Sequence, residues 1–129
     1  MNNITLSDGE WKLMNALWDN SPCSLSFLVK HFEGDTDWSK STIFIMLKRL
    51  MEKGAVSIDT SGKVQLYSPE IDREDATVKV TKSFLSRIYG GSVGLMLSSL
   101  AGQRSLSEKD IEELRKILDE VENNISKED

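Results

Sequence analysis

The sequence predicts a mainly α-helical chain: a winged helix-turn-helix of three helices and a two- or three-stranded wing, followed by a second, helical domain. Three observations carry this. A capped helix of about four turns runs from Ser39 to Lys53 and is ended by Gly54. Two short alternating runs follow it, Val56 with Ile58 and Val64 with Leu66, joined around Thr60-Ser61-Gly62, which is a hairpin signal. After Pro69 the alternation stops and helical periodicity returns. The expected domains are residues 1–70 and 71–129.

Each element has a local cause. Ser7 and Glu10 form a capping box at the start of the first helix, with Leu6 and Trp11 as its hydrophobic staple. Trp11, Met14 and Trp18 then fall on one face, with Leu17 beside them. Asp19-Asn20-Ser21-Pro22 ends that helix, because proline disfavours helical geometry in the residue before it. A second helix spans Ser24 to Phe32, its buried side marked by Phe27, Leu28 and Phe32. Glu33 to Asp37 is polar and contains Gly34, so it is a turn. Ser39 caps the third helix, with Trp38 and Ile43 placed for a staple. Ile43, Leu47 and Leu50 recur at helical spacing and face the core. Gly54 supplies the left-handed conformation that ends a helix. Two strands cannot stand alone in water, so the hairpin must pack on the helices.

The second domain starts with a long helix, Asp72 to Tyr89, with Val78, Thr81, Phe84, Leu85 and Ile88 on one side. Gly90-Gly91 breaks it. Ser92 to Leu100 is a short apolar helix holding Leu95, Met96, Leu97 and Leu100, broken in turn by Gly102. Ser107 and Asp110 form a last capping box, with Leu106 and Ile111 as its staple. Ile111, Leu114, Leu118, Val121 and Ile125 follow at alternating spacings of three and four, a narrow helix-packing seam. These helices carry more apolar surface than a thin monomer can expose. A helical dimerisation domain is therefore expected, built on Phe84, Leu85, Ile88, Leu95, Leu97, Leu100, Ile111, Leu114, Leu118 and Val121. The alternative is that these helices fold back on the N-terminal half.

Composition narrows the function classes. The chain has 129 residues, 39% hydrophobic and 29% charged, which fits neither a disordered nor a membrane-embedded protein. No apolar run approaches the roughly 20 residues a bilayer span needs. Met-Asn-Asn-Ile-Thr at the N-terminus lacks a signal-peptide pattern, so a cytoplasmic location and no membrane partner are expected. Cys23 is the single cysteine, which excludes an intrachain disulfide and a cysteine metal cluster. His31 is the single histidine, expected at a helix edge. An enzyme needs a nucleophile with a base, a metal cluster or a phosphate loop. Cys23 and His31 have no third orienting group, so no catalytic activity, cofactor or metal is expected.

The net charge of −5 argues against a nonspecific polyanion binder. It leaves room for a specific one, because phosphate contact needs only a local basic surface. The acidic residues concentrate in Glu108 to Glu122, whereas the third helix and hairpin carry Lys40, Lys48, Arg49, Lys53 and Lys63. A helix of this kind enters the major groove and reads base edges with its outward side chains. Lys40, Ser41 and Thr42 lie in its first turn, where N–H groups and a cation meet phosphate. Lys48, Arg49 and Lys53 follow, and Lys63 sits at the wing tip. Phe44 and Ile45 either face the groove, where a thymine methyl is an apolar partner, or the core. Winged helices also serve as protein-interaction modules, so a protein-binding adaptor stands beside double-stranded DNA binding as the second reading.

These residues resemble the penicillinase-repressor family, which includes the methicillin-resistance regulators and the copper-responsive repressors. The resemblance covers almost the full length. It rests on Leu6-Ser7-Asp8-Gly9-Glu10-Trp11 with Met14 and Trp18, on Thr36-Asp37-Trp38-Ser39, on Thr42-Ile43 with Leu47 and Arg49-Leu50, and on Lys53-Gly54. It continues in Phe84-Leu85, Tyr89-Gly90-Gly91, Leu106-Ser107 and Ile111-Glu112-Glu113-Leu114. The resemblance implies a homodimeric transcriptional repressor on a near-palindromic operator, each third helix taking one half-site. It also implies release by a signal. The copper branch carries a Cys-x-Cys pair near its C-terminus, and no cysteine follows Cys23 here. The β-lactam branch is cut by a membrane-bound sensor protease at an Asn-Phe bond in the short helix, where this chain has Ser98 and Ser99. The third helix departs too: the family commonly has proline where Lys40 stands, a basic residue at Ser41, and polar residues near Phe44 and Ile45.

Overall fold

The computed structural model describes residues 4–128, the last by its backbone alone. Met1 to Asn3, part of the N-terminal stretch without a signal pattern, lie outside them. The elements run α1 (Asp8–Asn20), α2 (Leu25–His31), α3 (Lys40–Glu52), β1 (Val56–Asp59), β2 (Leu66–Pro69), α4 (Arg73–Tyr89), α5 (Val93–Gly102) and α6 (Glu108–Glu128). They form two compact units, one up to Val78 and one from Lys79 onward.

The first unit is a three-helix cluster closed by a hairpin. Leu13, Met14 and Leu17 of α1, Leu28 of α2, Ile43, Leu47 and Leu50 of α3, and Tyr67 of β2 are buried together. The helix ends follow from their sequences. Ser7 and Glu10 cap α1 reciprocally: the Glu10 N–H donates to Ser7 Oγ at 3.2 Å, and the Ser7 N–H donates to Glu10 Oε1 at 2.9 Å. Ser24 and Ser39 each accept a backbone N–H from the first turn of α2 and α3. At the end of α3, Gly54 takes φ +81°. The Ala55 N–H then returns to the Leu50 carbonyl at 2.9 Å, and the Gly54 N–H to Met51 at 3.0 Å. This paired arrangement satisfies the last carbonyls of the helix.

Strands β1 and β2 pair antiparallel, with Ile58 opposite Tyr67 and Asp59 opposite Leu66. Tyr67 also exchanges two backbone hydrogen bonds with Cys23, at 3.0 and 2.8 Å, so a third line of chain extends the ladder. The inward hairpin face is therefore Val56, Ile58, Tyr67 and Pro69. This corrects the expected pattern. Val64 lies in the connecting loop and is 58% exposed, and Leu66 stands on the outer face opposite Asp59. The Asp59 carboxylate accepts the Ser61 N–H at 2.9 Å and the Ser61 hydroxyl at 2.7 Å. That local turn displaces the alternation by one residue, which exchanges the two faces of the second strand.

One further expectation is corrected. Phe27 is 40% exposed rather than buried, and its ring stacks on His31, one turn later, at 5.8 Å. On α1, Trp11 and Trp18 share a face as expected, with ring centroids 6.0 Å apart, and are half-buried beside the buried Leu13, Met14, Ala16 and Leu17. Trp18 also donates its indole N–H to the Ile71 carbonyl at 3.0 Å. Arg73 bonds Asp19 at 2.7 Å and stacks 5.5 Å from the Trp18 ring. These contacts bind the start of α4 to α1.

In the second unit, Gly90 and Gly91 take φ +58° and +89° after α4. Ser92 caps α5, accepting the Leu95 N–H at 3.0 Å. Gly102 does not break α5 as expected but forms its last residue, and Arg104 takes the left-handed turn at φ +55°. The Ser105 N–H bonds the Leu100 carbonyl across that turn at 3.0 Å. Ser107 and Asp110 cap α6 reciprocally. From Lys79 onward no described side chain is buried.

The corrected register is measurable. Tyr67→Ala is expected to cost about 3–5 kcal/mol in urea unfolding followed by tryptophan fluorescence, as for other buried aromatics. Val64→Ala is expected to stay within about 0.5 kcal/mol. Equal losses would restore the alternation that places Val64 inward.

Candidate nucleic-acid interface

Helix α3 has two faces with different work. Its buried side is Ile43, Met46, Leu47 and Leu50. At roughly 100° per residue, Ser41, Phe44, Ile45 and Lys48 share a strip on the opposite side. All four are exposed, as are Lys40 and Arg49 at the strip's edges. The open question about Phe44 and Ile45 is thereby answered: they are 41% and 51% exposed. The Lys48 ammonium lies 5.8 Å from the centroid of the Phe44 ring. Thr42 is half-buried, its hydroxyl 3.0 Å from that of Ser39 at the helix cap. Lys63 is exposed in the loop between β1 and β2.

Lys53 is placed differently. Its ammonium donates to Glu10 Oε1 at 2.6 Å and to the Thr5 carbonyl at 2.7 Å. It therefore ties the end of α3 to the start of α1. Burial pushes the Glu10 carboxyl up. The hydrogen bond from Lys53, the backbone of Ser7 and the charge of Lys53 outweigh that and hold it below its ordinary value. Glu10 is the positioning residue that the sequence showed only in part. Its cap with Ser7 was visible, but its second partner is 43 positions away.

Cys23 is buried, and burial pushes its thiol up, which suits a packed neutral group rather than a reactive thiolate. Among the described residues no group of three or more His, Cys, Asp or Glu could hold a metal ion. No helix among them is long and apolar enough to cross a membrane. The expected dimerisation residues lie on the second unit: Phe84, Ile88, Leu95, Leu100, Ile111, Leu118 and Val121 are exposed, and Leu85, Leu97 and Leu114 half-buried. Ser98 and Ser99 are exposed on α5.

A three-helix cluster with a hairpin beside an exposed cationic third helix defines a winged helix-turn-helix. The comparisons then place it more narrowly. The family profile described as penicillinase repressor matches residues 6–120. A penicillinase repressor of Bacillus licheniformis is 35% identical over 118 residues, covering 92% of each chain. The methicillin resistance regulatory protein MecI of Staphylococcus aureus strain N315 is 30% identical, covering 88% of this chain and 92% of its own. Among solved structures, the Bacillus licheniformis BlaI monomer in complex with the blaP half-operator is 35% identical, with a TM-score of 0.51. It covers 56% of this chain and 88% of its own. The DNA-binding domain of the repressor BlaI is 36% identical, with the same TM-score of 0.51, over 58% of this chain and 93% of its own. The chain belongs to the penicillinase repressor family.

The Glu10–Lys53 tie makes a prediction with a sign. Lys53→Met strands a buried carboxylate. It is expected to lower stability at neutral pH by about 1–2 kcal/mol, discounted from a fully buried pair because Lys53 is 37% exposed. Because the folded Glu10 carboxyl is held low, this stabilisation is complete above the ordinary carboxylate range. It is lost as pH falls through the folded value. The gap between wild type and variant should therefore narrow in acid. A gap that stays constant from neutral pH to below the carboxylate range would refute the ion pair as its cause.

Proposed function

We propose that this chain is a dimeric, sequence-specific DNA-binding transcriptional repressor acting in the cytoplasm. Residues 1–70 bind double-stranded operator DNA and residues 71–129 dimerise. The observation that carries the reading is the solvent face of α3. It is cationic, anchored from behind by core leucines, and belongs to a chain 35% identical to one solved with a half-operator. Lys40, Ser41 and Thr42 meet phosphate at the helix start. Lys48 and Arg49 follow along the groove, and Lys63 reaches a phosphate from the wing. Lys53 is not counted among these contacts, because its ammonium is engaged with Glu10.

Dimerisation is supported by what the second unit lacks. Among the described residues it has no buried side chain of its own, yet Ile88, Leu95 and Leu118 are each more than half exposed. Such a surface needs a partner, and a second copy supplies the same apolar seam in self-complementary form. Two copies of α3 then address the two halves of a near-palindromic site. An inducing signal releases the dimer. Of the two routes the resemblance offers, a sensor protease would act on α5, where Ser98 and Ser99 stand in place of the family's Asn-Phe bond.

Four phosphate-binding cations per protomer (Lys40, Lys48, Arg49 and Lys63) make eight per dimer. Affinity for a duplex selected from a random-sequence pool should then fall with salt at a log–log slope of about −7. Lys48→Ala and Arg49→Ala should weaken binding and flatten that slope, while leaving urea unfolding within about 0.5 kcal/mol of wild type. Leu118→Glu should convert the dimer to monomer in sedimentation and weaken the same duplex. Affinity independent of salt, or unchanged in both cation variants, would contradict the proposal.

A further inference from the structure

Phe44 and Ile45 are adjacent large apolar side chains turned to solvent in the middle of a cationic helix face. A single exposed apolar residue is ordinary, but two in succession at such a position ask for a partner. The core does not need them, since Ile43, Met46, Leu47 and Leu50 already fill the buried side of α3. The Lys48 ammonium stands 5.8 Å from the centre of the Phe44 ring, within the reach of a cation–ring attraction. Ring and ammonium therefore form one patch, apolar in one part and cationic in the other. Lys40 and Arg49 at its edges point to an anionic partner.

The major groove of duplex DNA matches this mixture. Its walls are phosphate, and its floor presents hydrogen-bonding edges together with one kind of apolar group, the C5-methyl of thymine. Neither Phe44 nor Ile45 can satisfy a hydrogen-bonding edge, and covering one without a partner is costly. A methyl group is the surface each can bury favourably. We propose that Phe44 and Ile45 are specificity-determining residues that select thymine by packing on its C5-methyl group in the major groove. This rests on the DNA-binding reading above and adds the base class that the helix selects.

The test isolates the methyl. A duplex selected from a random-sequence pool by the full chain is remade with each thymine replaced, one at a time, by deoxyuridine. This removes the methyl and keeps every hydrogen-bonding atom. Wild-type affinity is expected to drop about fourfold at one or two positions in each half-site, the scale of one buried methyl. Phe44→Ala and Ile45→Ala, at exposed positions that leave the core intact, should bind the thymine and deoxyuridine duplexes alike at those positions. Wild-type affinity indifferent to every replacement would overturn the proposal and leave the pair to a protein contact. Full sensitivity retained in both variants would overturn it as well. A selection that retains no duplex would overturn the DNA-binding reading with it, so the two failures are distinguishable.

Discussion

Burial of one side of α3 is the constraint on which the rest of the first unit depends. Ile43, Leu47 and Leu50 are fully buried, in one cluster with Leu13, Leu17, Leu28 and Tyr67. A helix fixed along one side can hold its other side out rigidly, and a rigid reading face is what base recognition requires. The ends are fixed as firmly as the middle. Ser39 closes the first turn, Gly54 turns the chain back at the last, and Lys53 ties the C-terminal end to Glu10 and Thr5. The solvent face is therefore free to carry side chains chosen for a partner rather than for stability.

That division explains how an acidic chain carries a DNA-binding surface. The net charge of −5 is set by the whole sequence. Charges are screened beyond a Debye length of about 8 Å, so the exposed cations Lys40, Lys48 and Arg49 of α3 and Lys63 of the hairpin loop act on their own surroundings rather than through the net charge. Of the basic residues at the end of α3, one is used for architecture. Lys53 neutralises a carboxylate that burial would otherwise push toward protonation, and so contributes to where the helix sits.

Much of this was legible in the sequence because it is local. Capping boxes at Ser7 and Ser107, the cap at Ser39 and the stop at Gly54 depend on residues three or four apart, and the structure has them all. What was not legible depends on longer range or on a single residue of phase. The second strand differs from its expected alternation because the turn at Asp59 and Ser61 shifts it by one, bringing in Tyr67 and turning out Leu66. Phe27 reads as core by type, yet it stacks on His31 at the surface. Arg104, not glycine, takes the left-handed turn after α5, which no preference for glycine could indicate. The engagement of Lys53 joins residues 43 positions apart, beyond any periodicity. Phe44 and Ile45 stood on the boundary of the helical pattern, and only their exposure assigns them to the solvent face.

The two units differ in self-sufficiency. The first closes a core of its own, whereas the second shows apolar side chains with nothing buried among the described residues. The proposed dimer covers these side chains with a second copy and doubles the reading helix in the same step. The account therefore stands on a paired, specific contact with DNA. Its most direct test is to bind the full chain to fragmented genomic DNA from its own source and sequence what is retained. The account predicts enrichment of a dyad-symmetric site, with its two halves spaced for two copies of α3. A folded dimer that enriches no sequence at low salt would contradict it.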